Sequence, residues 1–174
     1  MLNIVKKQGI GTWITLGAIL VSVIALIIYG AALASGTDLL IASGSQLFFE
    51  KIRPEDSAMI TAVTTCGILS LVFLVAAVVL AQFEFEGIVG KVCDVVVGVL
   101  RVVSPALILV ALLYFVYGSL TGLGWTFFSN EELEIYPEAI STGKTVITGL
   151  VFFGIAAVAS IVAAFFGMSK KEQV

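Results

Sequence analysis

The clearest charged pattern in this sequence is formed by Lys91, Asp94 and Arg101. Together with Gly98 they recur at steps of three, four and three residues, which places them on one face of a helix. The other positions of this segment are mostly valine, isoleucine and leucine, so residues 87–101 are predicted to form a cytoplasmic amphipathic helix. It either lies in the membrane interface or runs into the helix that follows. Its charged face is a candidate interaction surface, and the Arg101 side chain is expected to reach the headgroups.

Hydroxyl groups and one lysine within apolar segments form a second candidate site. If several copies of the chain assembled, these residues could line a polar path for an ion: Thr61, Thr65, Lys144 and Thr148. A simpler interpretation is that the hydroxyls bond to carbonyls of their own helices. Lys144 then extends its side chain to the nearby headgroups.

Aromatic residues are concentrated in the two connections predicted at 35–57 and 119–140. The candidate interaction residues there are Phe48, Phe49, Trp125, Phe127 and Phe128. One interpretation is an aromatic belt, with the connections lying on the headgroups or on each other. The other is a partner-binding cap, because exposed apolar patches with acidic rims often mark interaction sites. The sequence leaves both open.

Several kinds of chemistry lack the residues they need. Histidine is absent, which rules out a histidine acid–base pair, a histidine-containing zinc site and a haem histidine ligand. The two cysteines, Cys66 and Cys93, are too far apart in sequence to form a Cys-x-x-Cys motif. Glu131, Glu132 and Glu134 lack the aspartate-rich spacing of a calcium loop. We therefore predict no catalytic residue, no cofactor and no metal, and a protein that is not an enzyme.

Composition identifies the solvent of this chain as lipid. Of its 174 residues 60% are apolar and only 12% charged, against about 25% charged in a soluble domain. Four runs reach the roughly 20 apolar residues needed to cross a bilayer. We predict transmembrane helices at 10–34, 58–83, 102–123 and 141–167 in a single all-α, four-helix bundle, since backbone amides in lipid must be satisfied within each segment. A net charge of −3 without a basic cluster argues against nucleic acid.

Basic residues in short flanking segments predict the orientation. Six lie on the side of both termini and three on the other side: Lys6, Lys7, Lys91, Arg101, Lys170 and Lys171 against Lys51, Arg53 and Lys144. This bias predicts a multi-pass plasma-membrane protein of bacterial type with both termini in the cytoplasm.

An ordered set of short motifs occurs twice along the chain. The two copies are Tyr29-Gly30, Phe48-Phe49 and Pro54-Glu55, followed by Tyr117-Gly118, Phe127-Phe128 and Pro137-Glu138. Each Pro-Glu pair is typical of a helix start and precedes a threonine-rich apolar run. The order suggests a duplicated helical hairpin. Common turn chemistry and lipid-facing composition would also produce it by coincidence.

Small residues in the last apolar run predict helix packing. Ala156, Ser160 and Ala164 are four residues apart and form a stripe that permits close approach of another helix, within the chain or in an oligomer.

Taken together, these features favour a non-enzymatic accessory or scaffold subunit of a membrane assembly, with a membrane-protein partner or further copies of itself. The alternative is a homo-oligomeric channel or small carrier with a threonine-lined path. A third interpretation is a lipid-binding protein or a lipid enzyme whose site lies at a membrane boundary, with headgroups against Lys91 or Arg101.

Overall fold

The computed structural model of the protein describes residues 9–35, 56–83, 85, 87–128 and 137–168. Within these ranges the regular elements are four α-helices, and no strand occurs there: α1 (Ile10–Ala34), α2 (Asp56–Gln82), α3 (Gly87–Phe128) and α4 (Pro137–Phe165). Each contains a segment long and apolar enough to cross a membrane. The prediction of an all-helical chain with four candidate membrane spans is therefore confirmed.

The third helix is longer than predicted. One continuous helix of 42 residues, α3, includes both the charged segment 87–101 and the run predicted at 102–123, with Pro105 inside it. The charged segment thus runs into the next helix. The helix also continues through Phe127 and Phe128, so the prediction that they lie in a connection is wrong. No proline interrupts the chain between Pro105 and Phe128, and apolar residues there gain more from helical hydrogen bonds than from an open loop.

The first residue of α4 is predicted better by the Pro-Glu signal than by the start of the apolar run. α4 begins at Pro137, four residues before the apolar run, as expected for a proline in the first turn. α2 begins at Asp56. Pro54 lies outside the described residues.

Neighbouring helices run antiparallel and form a ring in the order α1, α2, α3, α4. The main contacts join α2 to α3, α1 to α4, α4 to α3 and α1 to α2. Two contacts show that α3 and α4 run antiparallel. Arg101 contacts the last turn of α4, whereas Phe115, later in α3, packs on Phe153, which lies earlier in α4.

Small side chains allow the helices to approach one another closely. α1 turns its small residues inward at Gly11, Thr15, Ala18, Ser22 and Ala25, and all five are buried. The other helices do the same with serine, alanine and glycine. In lipid, where burying apolar surface gives little driving force, such tight contacts between helices supply much of the stability.

Three aromatic rings pack together in the interior of the ring of helices. Tyr29, Phe115 and Phe153 come from α1, α3 and α4 and pack edge to face. The Tyr29 ring centroid lies 5.0 Å from that of Phe115 and 6.1 Å from that of Phe153, and the two phenylalanine centroids are 5.6 Å apart. The Tyr29 hydroxyl also donates to the carbonyl oxygen of Ile60 in α2 at 3.3 Å. All four helices therefore meet at this cluster.

The two ends of the described chain lie together. The backbone N–H of Gly9 donates to the carbonyl oxygen of Met168 at 2.8 Å. We refer to this end of the helices, where α1 and α3 begin and α2 and α4 end, as the terminal end.

Candidate functional site

A surface depression lies at the terminal end, where the chain turns from α2 into α3. Its volume is about 190 Å³. The lining residues are Phe83, Phe85, Gly87, Gly90, Lys91, Cys93 and Asp94. Lys91 and Asp94, two of the predicted interaction residues, are thus brought into one site.

Two glycines shape this depression. Gly87 has a φ of 67°, a left-handed conformation that residues with a side chain rarely adopt. At Gly90 a Cβ would lie 2.2 Å from the carbonyl oxygen of Phe85, so no side chain fits there. The turn therefore depends on glycine at both positions.

The rim of the depression combines aromatic and charged groups. Phe83 and Phe85 are 43% and 45% exposed, with ring centroids 6.1 Å apart. Lys91 and Asp94 are exposed one turn apart on α3. The Cys93 thiol, on the inner side, is half-buried and faces the carbonyl oxygen of Leu80 at 4.0 Å. The site can thus present an ammonium, a carboxylate and two rings to a molecule outside.

Arg101, the third charged residue of the predicted face, is half-buried, unlike Lys91 and Asp94, and its hydrogen bonds are within the chain. Its Nη2 donates to the carbonyl oxygens of Ala163 and Phe166 at the end of α4. The last carbonyls of a helix lack intrahelical donors and attract a cation. These bonds separate Arg101 from Lys91 and Asp94. The expectation that Arg101 reaches the headgroups stays a prediction.

The start of α1 docks on the segment that follows α4. The N–H of Gly11 donates to the carbonyl oxygen of Gly167 at 3.2 Å, and the Thr12 hydroxyl donates to that of Met168 at 2.9 Å. A Cβ on Gly11 would lie 2.3 Å from the carbonyl oxygen of Phe166. Arg101 and the start of α1 therefore donate hydrogen bonds to four carbonyl oxygens within residues 163–168, at and just beyond the end of α4.

A serine pair joins α2 to α3 in the middle of the apolar region. The Ser70 and Ser104 hydroxyls each lie 2.8 Å from the carbonyl oxygen of the other residue, and both side chains are buried. The sequence alone does not show this pairing, because it depends on how two helices are aligned.

The residues predicted to line a polar path face outward. Thr61, Thr65, Lys144 and Thr148 are all exposed on the surface of the single chain. Thr148 donates to the carbonyl oxygen of Lys144 at 2.8 Å, as the simpler interpretation expects. A polar path through these residues would therefore require further copies of the chain.

The predicted packing stripe of α4 lies on its inner face. Ala156 and Ser160 are buried, and Ala164 is half-buried. The Ser160 hydroxyl donates to the carbonyl oxygen of Ala156 at 2.7 Å, within the same helix. This stripe packs inside the chain.

The aromatic interaction residues are only partly described. Phe48 and Phe49 lie outside the described residues, and so does the side chain of Trp125. At the end of α3, Phe127 is half-buried and Phe128 is 90% exposed.

Among the described residues, no group of three or more His, Cys, Asp or Glu side chains could hold a metal ion. Comparison of the chain with models of known protein families, with curated proteins and with solved structures gives no match.

Proposed function

We propose that this chain is a non-enzymatic membrane protein that acts through contacts with other membrane proteins, as an accessory or scaffold subunit of a larger assembly. The observation that carries the proposal is the filled interior of the helix ring. Its centre is occupied by Tyr29, Phe115 and Phe153, and the buried polar side chains of the described helices are serine and threonine hydroxyls. Among the described residues, side chains therefore fill the centre of the ring.

The outward surface is therefore where other molecules would act. At about 1.5 Å per residue, the 42 residues of α3 extend about 63 Å, roughly twice the 30 Å hydrocarbon layer. Valines and leucines on its outer face are strongly exposed, among them Val95, Val102 and Leu113 at 66%, 66% and 68%. This long apolar face supports lateral contact with lipid and with a neighbouring protein.

We further propose that the four helices cross the plasma membrane as one bundle, with both termini in the cytoplasm. The contact between Gly9 and Met168 supports placing both termini on one side. The excess of lysine and arginine on that side supports the cytoplasm.

The duplicated hairpin also remains a proposal, supported by the order of the sequence motifs. The two tyrosines of those motifs have different environments: Tyr29 is 3% exposed and Tyr117 is 68% exposed. If the two hairpins arose by duplication, their packing has since diverged at this position.

Purification of the full chain from native membranes in a mild detergent, followed by mass spectrometry of what remains attached, tests the scaffold proposal. We expect one membrane protein at a fixed ratio to this chain. A polar substitution on the exposed face, Leu113→Gln, should weaken that association, whereas Thr145→Ser on the half-buried side of α4 should not. A chain that purifies alone, from every mild detergent tried, would contradict the proposal.

A homo-oligomeric channel or small carrier is the second candidate. It is favoured by the outward position of Thr61, Thr65, Lys144 and Thr148, since exposed hydroxyls of several copies could line a path between them. Liposomes containing only this protein should then conduct cations, and Thr65→Leu or Thr148→Leu should abolish the flux. Thr15→Val, at a buried hydroxyl bonded within α1, is the matched control. Silent liposomes would remove this candidate.

A further inference from the structure

We propose that the depression between α2 and α3 binds the headgroup of a zwitterionic phospholipid whose amine is primary, that is, a phosphoethanolamine lipid. Lys91 would hold the phosphate, Asp94 would accept hydrogen bonds from the ammonium, and Phe83 and Phe85 would flank it. This inference goes beyond the scaffold proposal, which requires no particular lipid.

The position of the depression points to a lipid headgroup. Two of its lining residues, Phe83 and Phe85, come just after Gln82, the last residue of the candidate membrane span 58–82. When α2 crosses a bilayer, a surface at this end of the helix lies at the level of the headgroups.

The charges select the class of headgroup. Lys91 and Asp94 are both exposed, and neither makes an ion pair within the described part of the chain. A phosphate beside a cation and an ammonium beside a carboxylate form charge-assisted hydrogen bonds. The Asp94 carboxylate also repels a lipid with net negative charge. A trimethylammonium group has no N–H to donate to Asp94, so a choline lipid should bind more weakly.

The shape of the site fits the same ligand. The depression has a volume of about 190 Å³, which admits a phosphate ester carrying a two-carbon amine. The rings of Phe83 and Phe85 are half exposed, so an ammonium or a trimethylammonium group can lie against an aromatic face. The choice between these two groups therefore depends on Asp94.

The surface below the charges can take the acyl chains. Gly98, one turn beyond Asp94, is exposed and has no atom within 4 Å of the place where a Cβ would be. Val95 and Val102, on either side of it along α3, are each 66% exposed. The open space at Gly98 and the exposed valines give this side of α3 an apolar surface next to the charged pair, against which acyl chains can lie.

Native mass spectrometry of the full chain with equal amounts of ethanolamine, choline and glycerol phospholipids of identical acyl chains tests the proposal. Because both charged groups are exposed, we expect a modest preference for the ethanolamine lipid, roughly two- to fivefold over each of the others. Asp94→Asn should abolish the preference over the anionic glycerol lipid. Lys91→Gln should weaken binding of all three lipids, and Lys91→Arg should restore it.

Lys144→Gln is the matched control, because it removes the same charge from an exposed lysine on another helix, α4. It should leave the preference unchanged. Equal retention of the three lipids by the wild-type chain, an unaltered preference in Asp94→Asn, or displacement by an equal concentration of inorganic phosphate would overturn the proposal. None of these results would bear on whether a protein partner co-purifies.

Discussion

Ser70 and Ser104 face each other across the contact of α2 with α3, with their hydroxyl oxygens 2.8 Å apart and each hydroxyl 2.8 Å from the other residue's carbonyl oxygen. Each hydroxyl has one proton, so the two residues share their bonds in a reciprocal pair. Backbones come this close only where side chains are small, and the pair thereby fixes the register of the hairpin.

Replacing both serines should reveal their coupling. In a double-mutant cycle of Ser70→Ala and Ser104→Ala, we expect a coupling free energy of about 0.6 kcal/mol, the average for hydrogen bonds between membrane helices. Unfolding in mixed micelles measures it. Ser22→Ala is the matched control, because its buried hydroxyl bonds only to Ala18 within α1. Coupling between Ser22 and Ser104 as large as that between Ser70 and Ser104 would show that the pair has no special role.

Arg101 should stabilise the end of α4. Arg101→Gln removes the charged donor to the carbonyls of Ala163 and Phe166, and hydrogen bonds to charged groups contribute about 1.5–3 kcal/mol. We expect faster amide exchange in the last turn of α4 and little change in its middle. Lys91→Gln should leave that exchange unaltered, since Lys91 is exposed on an earlier turn of α3. Uniformly faster exchange along α4 would contradict this local role.

The docking of α1 on the end of α4 should be sensitive to a single methyl group. In Gly11→Ala the new Cβ would meet the carbonyl oxygens of Phe166 and Gly167 at 2.3 and 2.5 Å, and overpacking of this kind costs about 1–3 kcal/mol. Unfolding in mixed micelles should show this loss. Gly17→Ala, in open space on the same helix, should be neutral or slightly stabilising. Similar behaviour of the two variants would mean that α1 does not dock as described.

The aromatic cluster should dominate the packing of the ring. Phe115→Ala removes a fully buried ring that contacts Tyr29 and Phe153, and we expect a loss of about 3–5 kcal/mol. Leu113→Ala, at a position 68% exposed on the same helix, should cost less than about 0.5 kcal/mol. Chemical unfolding in micelles distinguishes them. A comparable loss in both variants would argue that the interior is not packed around Phe115.

Sequence analysis predicted the helices well because hydropathy alone determines which segments can cross lipid. Runs of apolar residues gave four spans, and Pro137 marked the start of α4. Hydropathy could not predict where α3 ends, because residues near Phe128 are apolar enough for either an interfacial helix or a connection.

The candidate site was predicted only in part, since it depends on which helices touch. The spacing of Lys91 and Asp94 placed them on one face, but the turn at Gly87 that makes the depression depends on a backbone angle. Arg101 belonged to the same spacing pattern, and only the position of α4 shows that its guanidinium is engaged there. The pairing of Ser70 with Ser104 likewise needs the register of two helices.

The most direct test of the account is the location of both chain ends relative to the membrane. Peptide tags at the N-terminus, at the C-terminus and within the segment 36–55 can be probed by protease added to sealed, intact cells. Because Gly9 bonds to Met168, and because lysine and arginine are in excess on that side, we predict that both terminal tags are protected and that the tag in segment 36–55 is removed. Removal of one terminal tag and protection of the other would contradict four alternating crossings, and with them the account.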